Sequence, residues 1–246
     1  MQVPAPNTRE YELPGPEECI RLIGGRPWTH RLLAGLAVRK WWLMLTLHAA
    51  TKRTLDISGA TAGLVLLFPL LLATALAIRI ESPGPVLFRQ ERVGKRGRPF
   101  TMYKFRSMRV SAEAEKQALG GENESADGVL FKIKSDPRIT RVGRLIRRLS
   151  IDELPQLMNV LRGDMSIVGP RPALPAEVDQ YDREARKRLQ AQPGLTCLWQ
   201  ISGRSELAFS EQVDLDIRYL GARSLAKDIA IIARTIPAVL NGKGAY

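Results

Sequence analysis

Two adjacent carboxylates, Asp152 and Glu153, are the residues whose types and spacing point most directly to chemistry. They lie just ahead of Pro155, which favours the first turn of a helix, so the spacing predicts a helix start with Asp152 as its N-cap. The positive end of a helix and the arginines upstream should keep the Asp152 carboxylate ionised. An ionised carboxylate beside phosphate-binding groups is a candidate nucleophile, and Glu153 is a candidate to hold Mg²⁺ or to move protons.

A purely structural interpretation of the same segment stays open. Ser150 followed three residues later by Glu153 has the pattern of a capping box, in which both side chains only close the start of a helix. The carboxylates would then contribute stability and no chemistry.

A run of arginines directly precedes the two carboxylates. Segment 138–149 alternates arginines with apolar residues at helical spacing, which predicts an amphipathic helix with most arginines opposite the apolar face. That face is either simply solvated or turned toward an anionic surface or substrate, which would relieve the repulsion between like charges. The arginines are Arg138, Arg141, Arg144, Arg147 and Arg148.

Further cations are candidates for binding phosphate. Lys104 and Arg106 lie at the end of a predicted strand. Arg171 stands between two prolines, which fix the backbone on both sides and suit a bidentate phosphate ligand. Arg204 ends an irregular loop, and such a loop in a small domain is typical of a functional site.

The composition restricts the chemistry to carboxylates, lysines, arginines and a hard metal ion. The only histidines, His30 and His48, precede the long apolar stretch, so the domain after it has no histidine for a catalytic triad or a zinc site. The net charge of +12 requires an anionic partner. Aromatic residues make up only 6% of the chain and do not interleave with basic residues, which argues against nucleic acid.

The sequence pattern predicts that the elements that position these residues form an α+β fold that is mostly helical. Two β-rich runs, 86–92 and 100–108, flank a glycine-containing turn and predict a small β-hairpin. A short helix is expected at 111–119 and a brief strand at 129–134. The other helices are predicted at 138–149, 153–162, 174–190, 210–222 and 224–241.

The stretch 57–78 carries no charge and is long enough to cross a ~30 Å hydrocarbon core once. Basic residues flank both of its ends, and positive charge marks the cytoplasmic side, so the flanks conflict with a single crossing. A helix that enters the bilayer, breaks at Pro69 and returns resolves the conflict, whereas a kinked single span is the alternative. The predicted segments are a flexible tail at 1–29, a basic interfacial helix at 30–53, a re-entrant membrane helix at 54–82 and a domain at 83–246.

Several motifs taken together resemble one family, the bacterial sugar transferases, which are monotopic polyprenyl-phosphate phosphoglycosyl transferases. The resemblance covers about residues 52–246. The motifs lie at 82–88, 104–108, 136–141, 150–157, 169–172 and 244–246.

The resemblance implies an enzyme that moves a sugar 1-phosphate from a UDP-sugar onto undecaprenyl phosphate and releases UMP. This reaction is the first membrane step of exopolysaccharide, capsule or O-antigen synthesis. The resemblance also implies a location at the cytoplasmic face of the bacterial inner membrane, among its phospholipids, with the re-entrant helix broken at Pro69. Residues 83–246 are then the cytoplasmic phosphoglycosyl transferase domain.

The same resemblance gives roles to individual residues. Asp152 matches the nucleophile that forms a covalent aspartyl-phosphosugar intermediate, and Asp152 with Glu153 matches the Mg²⁺ site. Arg147 and Arg171 match family arginines near the phosphate pocket.

Two positions depart from the family pattern, and several properties are left open. Cys197 stands where the family commonly has glycine, and Arg223 stands where it often has tryptophan. The sugar, the polysaccharide pathway and the oligomeric state, a homodimer included, do not follow from the sequence. The alternative from another class is a catalytically silent, membrane-anchored basic scaffold that binds anionic lipid or partners.

Overall fold

One long helix, one β-hairpin and a group of shorter helices make up the fold. The computed structural model describes residues 28–115, 133, 136–203 and 207–241. The α-helices are α1 Trp28–Leu66, α2 Phe68–Glu81, α3 Ala112–Glu115, α4 Arg141–Arg148, α5 Leu157–Arg162, α6 Pro175–Asp179, α7 Arg183–Arg186, α8 Phe209–Gly221 and α9 Leu225–Asn241. The strands are β1 Leu87–Val93, β2 Pro99–Phe105, β3 Ser166–Val168 and β4 Gly194–Thr196. Short 3₁₀ helices lie at Lys95–Gly97, Ile151–Gln156, Lys187–Gln190 and Trp199–Ile201.

The predicted β-hairpin is confirmed, with shifted ends. β1 and β2 pair antiparallel, with Leu87 opposite Phe105 and Val93 opposite Pro99. The second strand ends at Phe105 and not at 108, because Met108 leaves the hairpin to form an isolated bridge with Ile139. The cations Lys104 and Arg106 therefore stand at the point where the chain leaves the sheet.

The helix α1 runs without interruption through the predicted boundary between segments 30–53 and 54–82. The hydroxyls of Thr51 and Thr54 donate to the carbonyls of Leu47 and Ala50, four residues earlier, so the polar residues at this boundary bond within the helix. The interfacial segment and the first half of the membrane segment are consequently one element.

A break at Leu67 separates α1 from α2. Pro69 lies in the first turn of α2, where its missing N–H costs no helical hydrogen bond. The two helices are bent by 61° at this break. No single helix among the described residues is both long and apolar enough to cross a membrane; the α1–α2 pair meets that test only when its two bent arms are taken together.

Both arms of the bent pair are attached to the rest of the fold. On α1, Lys52 Nζ lies 2.6 Å from Asp228 Oδ2 of α9, and the Asp56 carboxylate accepts hydrogen bonds from Ser166 Oγ and the Ile167 N–H. On α2, the Glu81 carboxylate accepts the first N–H groups of α4. Lys52 is therefore bonded into the domain, although the sequence assigned it only to a basic membrane flank.

A pair of parallel three-residue strands was not predicted. Ser166 of β3 pairs with Gly194 of β4, and Val168 pairs with Thr196. The two backbones approach so closely that a Cβ on Gly169 would lie 2.4 Å from the Gln192 carbonyl oxygen. Three residues are too few to show the alternation of apolar and polar side chains that marks a strand. Only the glycines Gly169 and Gly194 indicated a close approach of two backbones.

The helical predictions for the second half of the chain hold to different degrees. The last two helices agree with α8 and α9, whereas the helix predicted at 174–190 is divided into α6, α7 and a 3₁₀ turn. The helix predicted at 138–149 begins only at Arg141. Arg138 lies outside this helix and is buried, with its Nη2 2.6 Å from Asp136 Oδ2. It therefore neither faces solvent nor is placed to face an anionic surface or substrate.

Some predictions fall outside the described residues. These are the tail up to residue 27, the later part of the helix at 111–119 and nearly all of the strand at 129–134. The closing motif at 244–246 is also outside them.

Candidate active site

The adjacent carboxylates lie in the first turn of the 3₁₀ helix Ile151–Gln156. Ser150 before it adopts a left-handed conformation with φ of 53° and makes no capping hydrogen bond through its side chain. Neither predicted cap is therefore correct, because Asp152 is inside the helix and Ser150 does not form the capping box. The 3₁₀ helix packs against β2 and α4, which carry the predicted phosphate-binding cations.

The Asp152 carboxyl group is buried, with only 9% of the residue exposed. Its pKa is raised to about 6, mainly by burial and also by the neighbouring Glu153 carboxylate, while Lys104 and Arg147 oppose the rise. The carboxylate is therefore harder to ionise than an exposed aspartate, because the cost of burial exceeds the effect of the nearby cations. Asp152 is still mostly ionised at neutral pH, and it is more basic than an exposed aspartate.

Asp152 lines an open cavity of about 470 Å³. The wall of this front cavity combines both carboxylates with cations from three separate elements: Lys104 from β2, Arg147 from α4 and Arg171 from the loop after β3. Trp199 and Gln200 close one side. With Arg106, which also lines it, the cavity brings together six of the predicted site residues.

Lys104 and Glu153 form an ion pair across the cavity wall. Lys104 Nζ donates to Glu153 Oε1 at 2.8 Å, and both side chains are about one-quarter exposed, 25% and 29%. A partly solvated pair of this kind contributes little to stability and separates readily. A phosphate or a metal ion could therefore compete for either partner.

Arg171 is held rigidly at the cavity. Its Nη1 donates to the carboxylate of buried Glu177 at 3.1 Å, and the flanking carbonyls are also fixed. The Gly194 N–H donates to the Pro170 carbonyl at 2.8 Å, and Arg92 Nη1 donates to the Pro172 carbonyl at 3.0 Å. The guanidinium group is thereby pre-positioned, as bidentate recognition of phosphate requires.

Two of the predicted phosphate ligands are placed differently. Arg106 borders the cavity, but its guanidinium donates to the Ser82 carbonyl and hydroxyl and to the Pro83 carbonyl. It holds the turn after α2, which contains Gly84 at φ of 117°. Arg204 lies outside the described residues.

Arg92 is a cation near the site that the sequence analysis missed. It lies on β1, is 93% buried and borders a second, smaller cavity beside the first. Gln90, two residues earlier on the same face of the strand, accepts hydrogen bonds from its guanidinium. A clear signal for it was absent from the sequence, because four consecutive polar residues, 89–92, occupy this strand and do not single out Arg92.

Asp152 and Glu153 fit a Mg²⁺ ion by their donor chemistry. Mg²⁺ prefers hard oxygen ligands and in phosphoryl-transfer sites is often held by one or two carboxylates, together with waters and substrate phosphates. Among the described residues, no group of three or more His, Cys, Asp or Glu side chains is placed to hold a metal. A cation beside Asp152 would also offset the burial of its charge.

The cavity places a buried carboxylate among cations that could bind phosphate, and comparison with known proteins identifies the family. The family model for bacterial sugar transferases matches residues 47–242. The chain therefore belongs to the bacterial sugar transferase family. This membership confirms the family expected from the motifs and the enzyme class, a phosphoglycosyl transferase.

Three relatives illustrate the similarity. The chain is 48% identical over 199 residues to the galactosyl transferase CpsE of Streptococcus agalactiae, covering 80% of this chain and 44% of CpsE. It is 39% identical to the exopolysaccharide production protein ExoY of Sinorhizobium fredii, covering 80% of this chain and 88% of ExoY. It is 44% identical to the UDP-glucose:undecaprenyl-phosphate glucose-1-phosphate transferase of Caulobacter vibrioides, covering 79% and 72%. The chain thus spans less than half the length of CpsE but most of ExoY.

Proposed function

We propose that this protein transfers a sugar 1-phosphate from a UDP-sugar to undecaprenyl phosphate. The observation that carries the proposal is the buried Asp152 carboxylate in a cavity lined by Lys104, Arg147 and Arg171. The name of the Caulobacter relative supports the donor and acceptor classes, and that of ExoY supports a role in exopolysaccharide synthesis. Because the names of the relatives differ between galactose and glucose, the sugar is not assigned.

The reaction proceeds in two displacements at one phosphorus atom. In the first, an Asp152 oxygen attacks the β-phosphorus of the donor, the bond to the bridging oxygen breaks, and UMP leaves with that oxygen. In the second, a phosphate oxygen of the lipid attacks the same phosphorus, and the bond to Asp152 breaks. The carboxylate is restored, and the product is undecaprenyl diphosphate sugar.

The residues around Asp152 have separate tasks in this proposal. Arg147 and Arg171 neutralise charge on the transferring phosphoryl group, and Lys104 exchanges Glu153 for a phosphate oxygen. Asp152 and Glu153 would hold the Mg²⁺ ion. When bound, the metal supplies further charge stabilisation to the phosphoryl oxygens.

The bent α1–α2 pair supports a location at the cytoplasmic face of the inner membrane. Large apolar side chains near its apex are exposed, Leu66 at 77% and Phe68 at 61%. Lys52 on one arm and Glu81 on the other are both bonded to the same domain, and one domain lies on one side of a bilayer. We therefore favour re-entry with the break beside Pro69 over a kinked single span, with phospholipid around the apex.

The deciding experiment is a UMP-release assay on the full chain in nanodiscs. The reaction would contain Mg²⁺, a polyprenyl phosphate and a panel of UDP-sugars, and Asp152→Asn would be assayed beside the wild type. We expect release that depends on the lipid phosphate and falls by at least about 10³-fold in the variant, because an amide cannot form the covalent intermediate.

The contrary outcome is equally specific. A folded wild-type protein with no UMP release from any donor, and with no phosphosugar adduct on Asp152 by mass spectrometry, would reject the enzyme and favour the basic scaffold. Asp152→Asn would then bind membranes as the wild type does.

A further inference from the structure

A second cavity lies directly behind the Lys104–Glu153 ion pair. This rear chamber measures about 90 Å³ and shares Lys104, Glu153, Arg171, Trp199 and Gln200 with the front cavity. A water molecule occupies ~30 Å³ in the liquid, so the chamber has room for a tetrahedral oxyanion. Lys104 and Glu153 thus line both cavities, whereas Asp152 lines only the front one.

Arg92 gives the rear chamber a positive charge that no carboxylate among the described residues bonds directly. Lys104 pairs with Glu153 and Arg171 pairs with Glu177, so these charges balance. Among the described residues, the Arg92 guanidinium donates only to neutral oxygens, at 2.6 and 3.1 Å to Gln90 Oε1 and at 3.0 Å to the Pro172 carbonyl. Buried cations are ordinarily paired with an anion, so this one points to a ligand.

The electrostatics of Arg92 agree with that geometry. Burial and, to a smaller extent, the Arg171 guanidinium together lower the pKa of Arg92 to about 10, while Glu177 and Glu153 oppose the shift. Two guanidinium groups that repel each other beside a polar cavity are relieved by an anion placed between them. The planar forks of both arginines suit an oxyanion.

We propose that the rear chamber is a subsite for a phosphate monoester, bound by Arg92 together with Arg171. This inference rests on the proposed function, in which UMP leaves in the first step and the lipid phosphate enters in the second. Both are phosphate monoesters, and both steps make or break the bond to Asp152. In each in-line displacement the entering and leaving groups lie on opposite sides of the phosphorus. UMP therefore leaves opposite Asp152 in the first step, and the lipid phosphate enters opposite Asp152 in the second, so one subsite serves both.

The test is ligand binding to the full chain in nanodiscs, without turnover. The ligands are UMP, farnesyl phosphate as a short polyprenyl phosphate, and uridine, which lacks the phosphate. We expect Arg92→Gln to weaken binding of at least one monoester by about 10-fold or more, the usual loss for a charged hydrogen-bonding group, with uridine binding unchanged.

Arg89→Gln is the matched control, because Arg89 lies on the same strand, is exposed and stands over the Tyr103 ring 6.0 Å from its centroid. It removes the same charge outside the chamber and should leave all three affinities unchanged. A loss for UMP alone assigns the subsite to the leaving group, and a loss for farnesyl phosphate alone assigns it to the acceptor. Unchanged binding of both monoesters, or an equal loss for uridine, overturns the proposal.

Arg92 also ties β1 to Pro172, so Arg92→Lys serves as the second variant if the glutamine variant unfolds. Lysine keeps the charge and loses the fork, and we expect monoester binding to weaken by less than in Arg92→Gln. Full wild-type affinity for both monoesters in a folded Arg92→Lys protein, with no loss in any Arg92 variant, rejects the subsite. Absence of UDP-sugar turnover together with Arg92-dependent UMP binding would reject the proposed function and keep the subsite.

Discussion

At the scale of single residues, Asp152 is buried and yet surrounded by charges of both signs. Burial is the largest influence on its pKa, and Glu153 acts in the same direction, so Lys104 and Arg147 reduce the shift without removing it. The result is a carboxylate that is ionised at neutral pH but more basic than usual. A more basic nucleophile attacks phosphorus faster, provided that it stays deprotonated.

This balance sets the pH dependence of the first half-reaction. A protonated Asp152 cannot attack, so the rate of UMP formation in a single turnover should fall about tenfold per pH unit below the pKa of Asp152, which is about 6 without metal and would be lowered by bound Mg²⁺. The donor diphosphate is esterified at both ends and does not titrate in that range. Rapid-quench measurements from pH 4.5 to 8 would check this.

Lys104→Gln provides the internal control for that profile. Because the Lys104 ammonium group lowers the pKa of Asp152, its removal should move the inflection to higher pH. Coincident pH profiles for Lys104→Gln and the wild type would contradict the influence of Lys104 on the pKa of Asp152.

The sequence allowed much of the residue-level site to be predicted, for a definable reason. Asp152 and Glu153 are adjacent carboxylates just before a proline, and Arg171 lies between two prolines, so the neighbouring residues alone indicated a site. The family membership agrees with these motifs. Arg92 could not be found in this way, since its significance comes from Pro172 and Arg171, about 80 positions away. Arg106 looked like a phosphate ligand because nothing local showed that its guanidinium holds the turn after α2.

At the scale of elements, the domain is assembled against the side of α1. Arg53 donates to the Val160 and Leu161 carbonyls at the end of α5, and Asp56 accepts from the start of β3. A Cβ on Gly59 would lie 2.7 Å from Ile167 Cδ1, so α1 and β3 pack in direct contact. Hydropathy alone assigned this part of α1 to a membrane and gave no sign that one face is core.

Asp56→Ala tests this attachment. The substitution removes the acceptor of the Ile167 N–H and one hydrogen bond of the buried Ser166 hydroxyl. We expect the free energy of unfolding to fall by about 1–3 kcal/mol. The melting temperature in detergent should fall by several degrees, whereas Asp214→Ala, on the exposed face of α8, should not change it. Equal melting temperatures for Asp56→Ala and the wild type would show that α1 is not a wall of the domain.

At the scale of the whole molecule, re-entry places both arms of the bent pair on one side of the membrane. The test uses single cysteines, at Ala49 on the first arm and at Pro83 after the second arm, in a chain with Cys19 and Cys197 replaced by serine. Each cysteine shows on which side of the membrane its arm lies. We expect neither position to react in intact cells with a thiol reagent that cannot cross the inner membrane, and both to react after lysis. Labelling of one position alone in intact cells would establish a single span.

The overall class of the fold was predictable from the sequence, whereas the contacts between distant segments of the chain were not. Periodicity located α8 and α9, and turn residues located the hairpin, because each signal is local. The three-residue strands β3 and β4 and the division of segment 174–190 depend on contacts between distant parts of the chain. Those contacts place Arg171 at the cavity, so the part of the fold that the sequence concealed is the part that positions the site.

The double attachment of the bent helix pair has a consequence for how the acceptor is found. Because Lys52 and Glu81 bond both arms to the domain, a bilayer that holds the apex also holds the Asp152 cavity at a constant height. The search for the lipid phosphate is then two-dimensional diffusion within one headgroup layer, without a capture step from bulk water. Selection of the acceptor would depend on the depth of its phosphate, and the length of a tail that remains in the hydrocarbon would matter little.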